Sequence, residues 1–297
     1  SRSDPEPHGP IPLHQAAKVG YAGRGSTLMS ASVQHHEISN YRHRKILELL
    51  YEQGSVTSEA LSGLLGVSRI TIRRDLDALA SAKLLERTHG GAIMGASTRL
   101  ESIFAEKDML FKREKRAIGR YVATLVEDGD TVFLNAGSTT LEVLRNLRGK
   151  KVKVVTNNAA SITVDLDPGV ELLVLGGEYR RESQSYIGDL ALLGLKSIYS
   201  SVTVLGINGI SARKGLTSAV YQETSVNRAM IENSSGKVIV AADRSKMNCV
   251  SSFLTCSLDR IDVIATDWLC PHPYLDELRA LGVRVEEIAG QDGIAPL

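Results

Sequence analysis

Two stretches carry residue types whose spacing does chemistry. The first, Asn135-Ala136-Gly137-Ser138-Thr139-Thr140, follows a strand-like run and opens a helix-like one. Glycine lets backbone amides approach a ligand, hydroxyls donate to its oxygens, and the N-terminus of the following helix favours an anion. That is the chemistry of a phosphate cradle. Neither the P-loop spacing GxxxxGK[ST] nor the dinucleotide fingerprint GxGxxG occurs there. An ordinary helix cap at Ser138 or Thr139 explains the same residues.

The second stretch is VSRITIRRDLDAL, Val67 to Leu79. Ile72, Leu76 and Leu79 recur at i, i+4 and i+7 and face a core. Ser68 is placed to cap this helix, and Ser68, Arg69, Ile70, Thr71, Arg73 and Arg74 are left for its outer face. Upstream, Ile46, Leu49 and Leu50 mark a helix that Gly54 ends. Ser58 is placed to cap another, with Leu61, Leu64 and Leu65 inward and Gly66 as its stop. Two short helices about a Gly-Val-Ser turn form a helix-turn-helix. LLERTHGGAIM then reads as two short strands around Gly90-Gly91, which makes the unit a winged helix. In a helix-turn-helix the second helix enters the major groove with its N-terminal residues at the base edges. Arginine bonds guanine bidentately or pairs with phosphate, and serine and threonine do either. Arg87 and His89 of the hairpin would touch the flanking backbone. The helix pattern alone equally fits a solvated basic face paired with Asp75 and Asp77.

The elements that must position these residues fall into two units. The chain has 297 residues, 43% hydrophobic and 23% charged, which suits a two-domain globular protein. Its net charge of +1 means that any basic footprint is local. Its three cysteines form no CxxC pair and no ligand cluster, so neither a disulfide framework nor a metal site is expected, and a cytoplasmic setting fits. No run approaches the roughly 18 apolar residues of a membrane span. Residues 1–40, rich in Pro, Gly, Ser and His, read as a disordered tail or appended extension, with Met29 as a natural start. The winged helix occupies 41–96, a linker 97–112, and an α/β domain 113–290. In the last, TVFLNA, KVVT, VELLVLGG, SVTVLGING, KVIVAAD, DVIATD and VRVEEI alternate with helical segments. Buried runs in that order make a mostly parallel sheet covered on both faces.

In such sheets ligands bind beyond the strand C-termini. There stand the Asn135–Thr140 loop, Asn157, Gly176-Gly177, Asn208-Gly209 and Asp243-Arg244-Ser245-Lys246. Lys246 is a second anchor for a phosphate or sugar hydroxyl, or a plain surface lysine. Arg180-Arg181 with Ser183-Gln184-Ser185 suits an anionic, hydroxyl-rich ligand, or forms an exposed loop.

The residues from Arg42 to Met94 resemble the N-terminal domain of DeoR-type (DeoR/GlpR family) transcriptional regulators. The resemblance rests on Ser68, Thr71-Ile72-Arg73-Arg74-Asp75-Leu76 and on Arg87, His89-Gly90-Gly91-Ala92. Ala82-Lys83 departs from it, where the family usually has a glycine. It continues through DGDTVFLNAGSTT, VVTNN, VLGGEYRRESQSYIGDLA, LGINGI, KGLT and VIVAADRSKMN, and so spans about Tyr41 to Ile288. It implies a sensor domain similar in fold to sugar-phosphate isomerases and CoA transferases, which binds a phosphorylated sugar. Carried over by position, the ligand set is Gly137, Ser138, Thr139, Thr140, Asn157, Gly176, Gly177, Asn208, Gly209 and Lys246, with Glu223 on a sugar hydroxyl; Asn135 of the first loop and Arg181 of the Arg180–Ser185 segment are expected beside them. Asn135 and Ser201 stand where the family usually has Asp, and both changes would remove a carboxylate from the crevice. The Arg180–Ser185 segment also resembles its counterpart in regulators of amino-sugar use.

The expected protein is a repressor of a carbohydrate-utilisation operon. It works as a dimer or tetramer on double-stranded operator DNA, without a cofactor or membrane contact, and is switched by a sugar phosphate. An isomerase using Glu223 and Lys246, and a DNA-binding protein whose C-terminal domain only oligomerises, are the rivals.

Overall fold

The computed structural model describes residues 41–50, 53–81, 84–93 and 110–289. The expectations for residues 1–40, for most of the 97–112 linker and for Ala82-Lys83 lie outside these.

Residues 41–50 form helix α1. Strand β1 (Ser55–Thr57), helices α2 (Ser58–Leu65) and α3 (Arg69–Ser81), and strands β2 (Glu86–Arg87) and β3 (Gly91–Ile93) follow. Three local readings need correction. Leu64, expected inward, is 62% exposed, because the short α2 buries only its Leu61 side. The wing has three strands in the order β1-β3-β2, because Ser55–Thr57 pairs antiparallel with β3. Three residues are too few to show a period, so sequence could not separate this strand from a loop. The cap of α2 is Thr57, whose hydroxyl accepts from the Ala60 N–H at 3.1 Å, and Ser58 is instead a buried helical residue. Either hydroxyl can cap, and the chain uses the earlier one. Gly66 ends α2 at φ 65°, a left-handed stop where a side chain would be strained. Ser68 caps as expected: its Oγ accepts from the Thr71 N–H at 3.2 Å.

The core of this unit joins Ile46, Leu50, Leu61, Ile72, Leu76 and Leu79 to Leu85 and Ala92. Leu110 and Phe111 are buried in the same cluster, so the last part of the stretch read as linker belongs to the winged-helix core.

Beyond it come α4 (Lys112–Thr124), β4 (Thr131–Leu134), α5 (Ser138–Arg145), β5 (Val152–Thr156) and β6 (Val170–Val174). The hairpin β7 (Glu178–Arg180) and β8 (Ser185–Ile187) leads to α6 (Asp189–Leu195) and β9 (Ser200–Leu205). Strands β10 (Gly209–Ser211) and β11 (Gly215–Ser218) precede α7 (Tyr221–Glu232) and β12 (Ser234–Ala241). Then follow β13 (Phe253–Cys256), β14 (Val263–Asp267), α8 (His272–Ala280) and β15 (Arg284–Ile288).

The seven strands read from sequence form one parallel sheet, ordered β15-β14-β12-β9-β4-β5-β6. Period-2 alternation divides its side chains between two cores. Val132, Leu134, Val204 and Ile239 meet α4 and α5 through Ile118, Val122, Leu141 and Leu144. Phe133, Leu205, Val240 and Ile264 meet α6, α7 and α8 through Leu195, Met230 and Leu275. The small β7-β8 hairpin and the β10-β11-β13 sheet were not read from sequence, because segments of three or four residues carry too little pattern. From β4 the chain adds strands outward through β5 and β6, then returns to β4's other side with β9. The switch point therefore lies between β4 and β9, where an α/β sheet opens a crevice at its carboxyl edge.

Candidate nucleic-acid face and anion pocket

Helix α3 buries Ile72, Asp75, Leu76 and Leu79. That leaves Ser68, Arg69, Ile70, Arg73 and Arg74 exposed on its outer side, with Thr71 half-buried. Arg73 and Arg74 make no ion pair among the described residues. Ile70 is 67% exposed, an apolar side chain that only a partner would cover. Arg69 is committed to Glu59 of α2, and Arg87 to Asp77 at 2.9 Å and to the Gly91 carbonyl. Arg87 thus ties the wing to α3. His89 is exposed in the wing turn. Asp75 does not neutralise this face. It is buried and receives both guanidinium N–H groups of Arg42, at 2.9 and 3.0 Å, with His43 at 3.1 Å. The exposed arginines accordingly keep their charge for an outside partner.

At the sheet's switch point a cavity of about 60 Å³ opens. Its floor is the β4–α5 loop, which three asparagines clamp. Asn135 donates to the Gly206 carbonyl and to Asn227 Oδ1, at 2.8 and 2.9 Å, and its Oδ1 accepts from the Gly206 N–H at 2.7 Å. Asn157 Oδ1 accepts from the Ala136 N–H at 2.9 Å, and Asn158 donates to the Gly137 carbonyl at 3.2 Å. The carboxylate-to-amide change at Asn135 therefore supplies a donor that stitches β4 to β9. The residue that precedes α5 is Gly137, and no side chain caps the helix. Ser138 and Thr139 lie inside its first turn and line the cavity. The ordinary cap therefore fails as an account of this loop, and the first turn of a helix with no side-chain cap lines the cavity.

Charged groups close the other side. Lys115 of α4, only 3% exposed, reaches Asp243 at 3.8 Å, and Lys246 stands three residues on. Burial pulls Asp243 upward, but Lys246, Lys115 and the Ser245 hydrogen bonds outweigh it and hold the carboxyl below its ordinary value. Glu223 lines the cavity beside Arg180 at 3.6 Å, and its Oε1 is buried without a hydrogen-bond partner. That oxygen faces the Arg180 guanidinium beyond hydrogen-bond distance and has room for a closer donor. Among the described residues no group of three His, Cys, Asp or Glu side chains converges as a metal site.

Of the expected ligand set, Asn135, Gly137, Ser138, Thr139, Asn157, Asn208, Glu223 and Lys246 line this cavity. Thr140, Gly176, Gly177, Arg181 and Gly209 do not. Thr140 donates to the Asn135 carbonyl at 2.7 Å and braces the loop from behind. Gly177 and Gly209 serve close backbone approaches: a Cβ there would lie 2.5 Å from the Ile187 and Cys249 carbonyl oxygens, respectively. Arg181 is exposed, whereas its neighbour Arg180 turns inward to Glu223 and Ser183. Ser201 is also corrected. It lies at the amino end of β9, bound to Asp130 at 2.6 Å, so its identity takes no carboxylate from the crevice.

The sequence reading missed Lys115, Asn227 and Ser218. Lys115 left a signal. It sits three and seven residues before Ile118 and Val122, a charged group on the buried stripe of its helix.

A family model described as the DeoR C terminal sensor domain matches residues 111–268, and one for the DeoR-like helix-turn-helix domain matches residues 42–98. The chain belongs to the DeoR family. It is 36% identical, over 82% of its own length and 92% of the other, to an Escherichia coli O157:H7 protein named as an aga operon transcriptional repressor. It is 33% identical to the HTH-type transcriptional repressor GlcR of Bacillus subtilis, over 83% of this chain and 96% of that one. A ribose 5-phosphate isomerase A from Methanocaldococcus jannaschii aligns at 15% identity and a TM-score of 0.33, over 44% of this chain and 52% of that one. Likeness at that level carries no chemistry across. This DeoR-family chain is a DNA-binding transcriptional regulator, and no helix of its described residues is long and apolar enough to cross a membrane.

Proposed function

We propose that this regulator represses a carbohydrate-utilisation operon, and that a phosphorylated sugar in the β4–β9 cavity modulates its hold on operator DNA. The observation that carries the reading is the uncapped N-terminus of α5, which faces a cavity also lined by Lys115 and Lys246. Amides and ammonium groups together suit a phosphate, and the Glu223 carboxylate, whose Oε1 makes no hydrogen bond, suits a hydroxyl or amino group of the sugar. Arg73 and Arg74, with Ser68 and Thr71, read the operator, while Arg69, Arg87 and His89 lie near its backbone. Two or four copies acting in the cytoplasm on repeated half-sites give the affinity that one winged helix lacks. Linkage makes the effect reciprocal: an effector that loosens DNA is itself loosened by DNA.

The test is thermal melting across phosphorylated sugars, amino-sugar phosphates and the matching free sugars. A ligand at 100 times its dissociation constant adds about 2.7 kcal/mol. We expect stabilisation by a phosphorylated compound and none by its free sugar. No stabilisation by any phosphosugar would overturn the reading. The site senses and does not turn its ligand over. Isomerisation of a sugar phosphate that is lost in Glu223→Gln would show otherwise.

A further inference from the structure

Among the described residues, Arg244 joins the wall of the pocket to the core of the winged helix. Arg244 lies between Asp243 and Lys246, both of which line the cavity. Its own side chain turns away. The guanidinium donates to Asp267 at 2.9 Å and to Glu114 at 3.2 Å, and lies over the Phe111 ring, 4.6 Å from its centre. Phe111 is 1% exposed and, with Leu110, belongs to the core that holds Ile72 and Leu76 of α3. One ring therefore presents a face to Arg244 while it fills the core beneath the recognition helix.

The same residue opens α4. Phe111 enters the helix at φ 52°, a left-handed conformation that a bulky residue keeps only when its surroundings hold it. Its carbonyl accepts from the N–H of Lys115 at 2.9 Å, and the Lys115 ammonium pairs with Asp243 inside the cavity. Phe111 is thus gripped twice from the pocket: by Arg244 across its ring, and by the first turn of α4 through its backbone. A ligand that draws on Lys115, Asp243 or Lys246 acts on both grips at once.

We infer that Arg244, through its stack on Phe111, is the positioning residue that transmits occupancy of the pocket to the winged helix. The inference rests on the reading of the cavity as an anion site. Arg244 itself does not line the cavity. Its role needs the flat face of a guanidinium as well as its charge, so lysine does not replace it.

The experiment is hydrogen exchange of the full chain with and without inorganic phosphate, the simplest occupant of the α5 cradle. Peptides are followed from the cavity (residues 135–145 and 241–247) and from the winged helix (residues 41–93). In the parent protein we expect phosphate to protect the cavity and to change exchange in the winged helix. Arg244→Lys keeps a cation beside Asp267 but removes the planar stack, and Phe111→Leu keeps an apolar side chain in the core, removes the ring and leaves the ion pairs of Arg244 in place. Both should retain cavity protection and lose the winged-helix response. A winged-helix response that persists undiminished in both variants overturns the inference, as does a parent protein whose cavity responds while its winged helix does not. If phosphate protects nothing, the anion reading of the pocket fails separately. The comparison is then made without ligand. Faster winged-helix exchange in both variants, with cavity exchange unchanged, supports the link, and unchanged winged-helix exchange overturns it.

Discussion

The two working surfaces of this chain are built in opposite ways. On α3, charge is left unspent: Arg73 and Arg74 stand in solvent without ion pairs among the described residues, on a helix whose other side is core. In the β4–β9 cavity the frame is already bonded, with three hydrogen bonds from Asn135 alone, while the start of α5 carries no side-chain cap. The difference follows from the ligands. Duplex DNA brings a continuous line of phosphates and rewards exposed cations wherever they fall. A small anion must be met on all sides, so its site is desolvated, and desolvated polar groups must bond one another before the ligand arrives. Changes on α3 should therefore cost binding with little stability, and changes in the charged wall of the cavity should cost both.

The largest effect is expected at Asp243. Asp243→Ala removes the carboxylate that faces the buried Lys115 ammonium at 3.8 Å, and removal of one member of a buried pair costs up to about 3–5 kcal/mol. Urea unfolding at neutral pH measures this, and a loss below 1 kcal/mol would break the comparison. The pH dependence has a definite sign. The folded-state value of Asp243 lies below its ordinary one, so its stabilisation is complete above the unfolded carboxyl value near 4 and is lost as pH falls through the lower folded value. The stability gap between the parent protein and Asp243→Asn should therefore be widest at neutral pH and shrink in acid below about pH 4. A gap that widens in acid would mean that the carboxyl is protonated in the native state.

Next in size is Arg74→Ala, which should weaken operator binding by about 1–3 kcal/mol if Arg74 reads a base. Melting temperature and ligand response should stay unchanged. Equal affinity of the parent and variant for operator and for random DNA would remove α3 as the reading helix.

The contrast between the surfaces also explains what could be read from sequence. The α3 face was legible because one helical period sorts Ile72, Leu76 and Leu79 inward and their neighbours outward, and all of the information is local. The sheet was legible for a related reason, since buried parallel strands are long apolar runs. The cavity was legible only in part. Its residues come from the ends of β4, β5, β9 and β12 and from α4, β11 and α7, and sequence places the strand ends but not which side chains turn inward. Hence Arg181 was expected where Arg180 stands, and Ser201 was placed in a crevice that lies at the other end of its strand. The caps erred by one position for the same reason: Thr57 and Ser58 are chemically equivalent until the backbone is known. A smaller prediction tests that choice. Thr57→Ala should cost about 1 kcal/mol through the lost bond to the Ala60 N–H. Ser58→Ala should cost less, and the reverse order would return the cap to Ser58.

The smallest expected change in stability is also the sharpest test of the cavity. If Ser138 were the cap of α5, Ser138→Ala would cost about 1 kcal/mol of stability. The structure makes Gly137 the preceding residue and leaves the helix without a side-chain cap. The substitution should therefore leave stability within about 0.5 kcal/mol. What it should cost is ligand: loss of one hydroxyl donor to a charged phosphate oxygen weakens effector binding by about 1.5–3 kcal/mol. Lys246→Ala added to it should abolish the effector response and spare DNA binding. Calorimetry with the phosphosugar found by melting, beside urea unfolding of the same variants, separates the two quantities. Lost stability with unchanged ligand affinity would turn the loop back into an ordinary helix start and move the anion site elsewhere. Unchanged stability with weakened binding would show that this helix end is left open for its ligand.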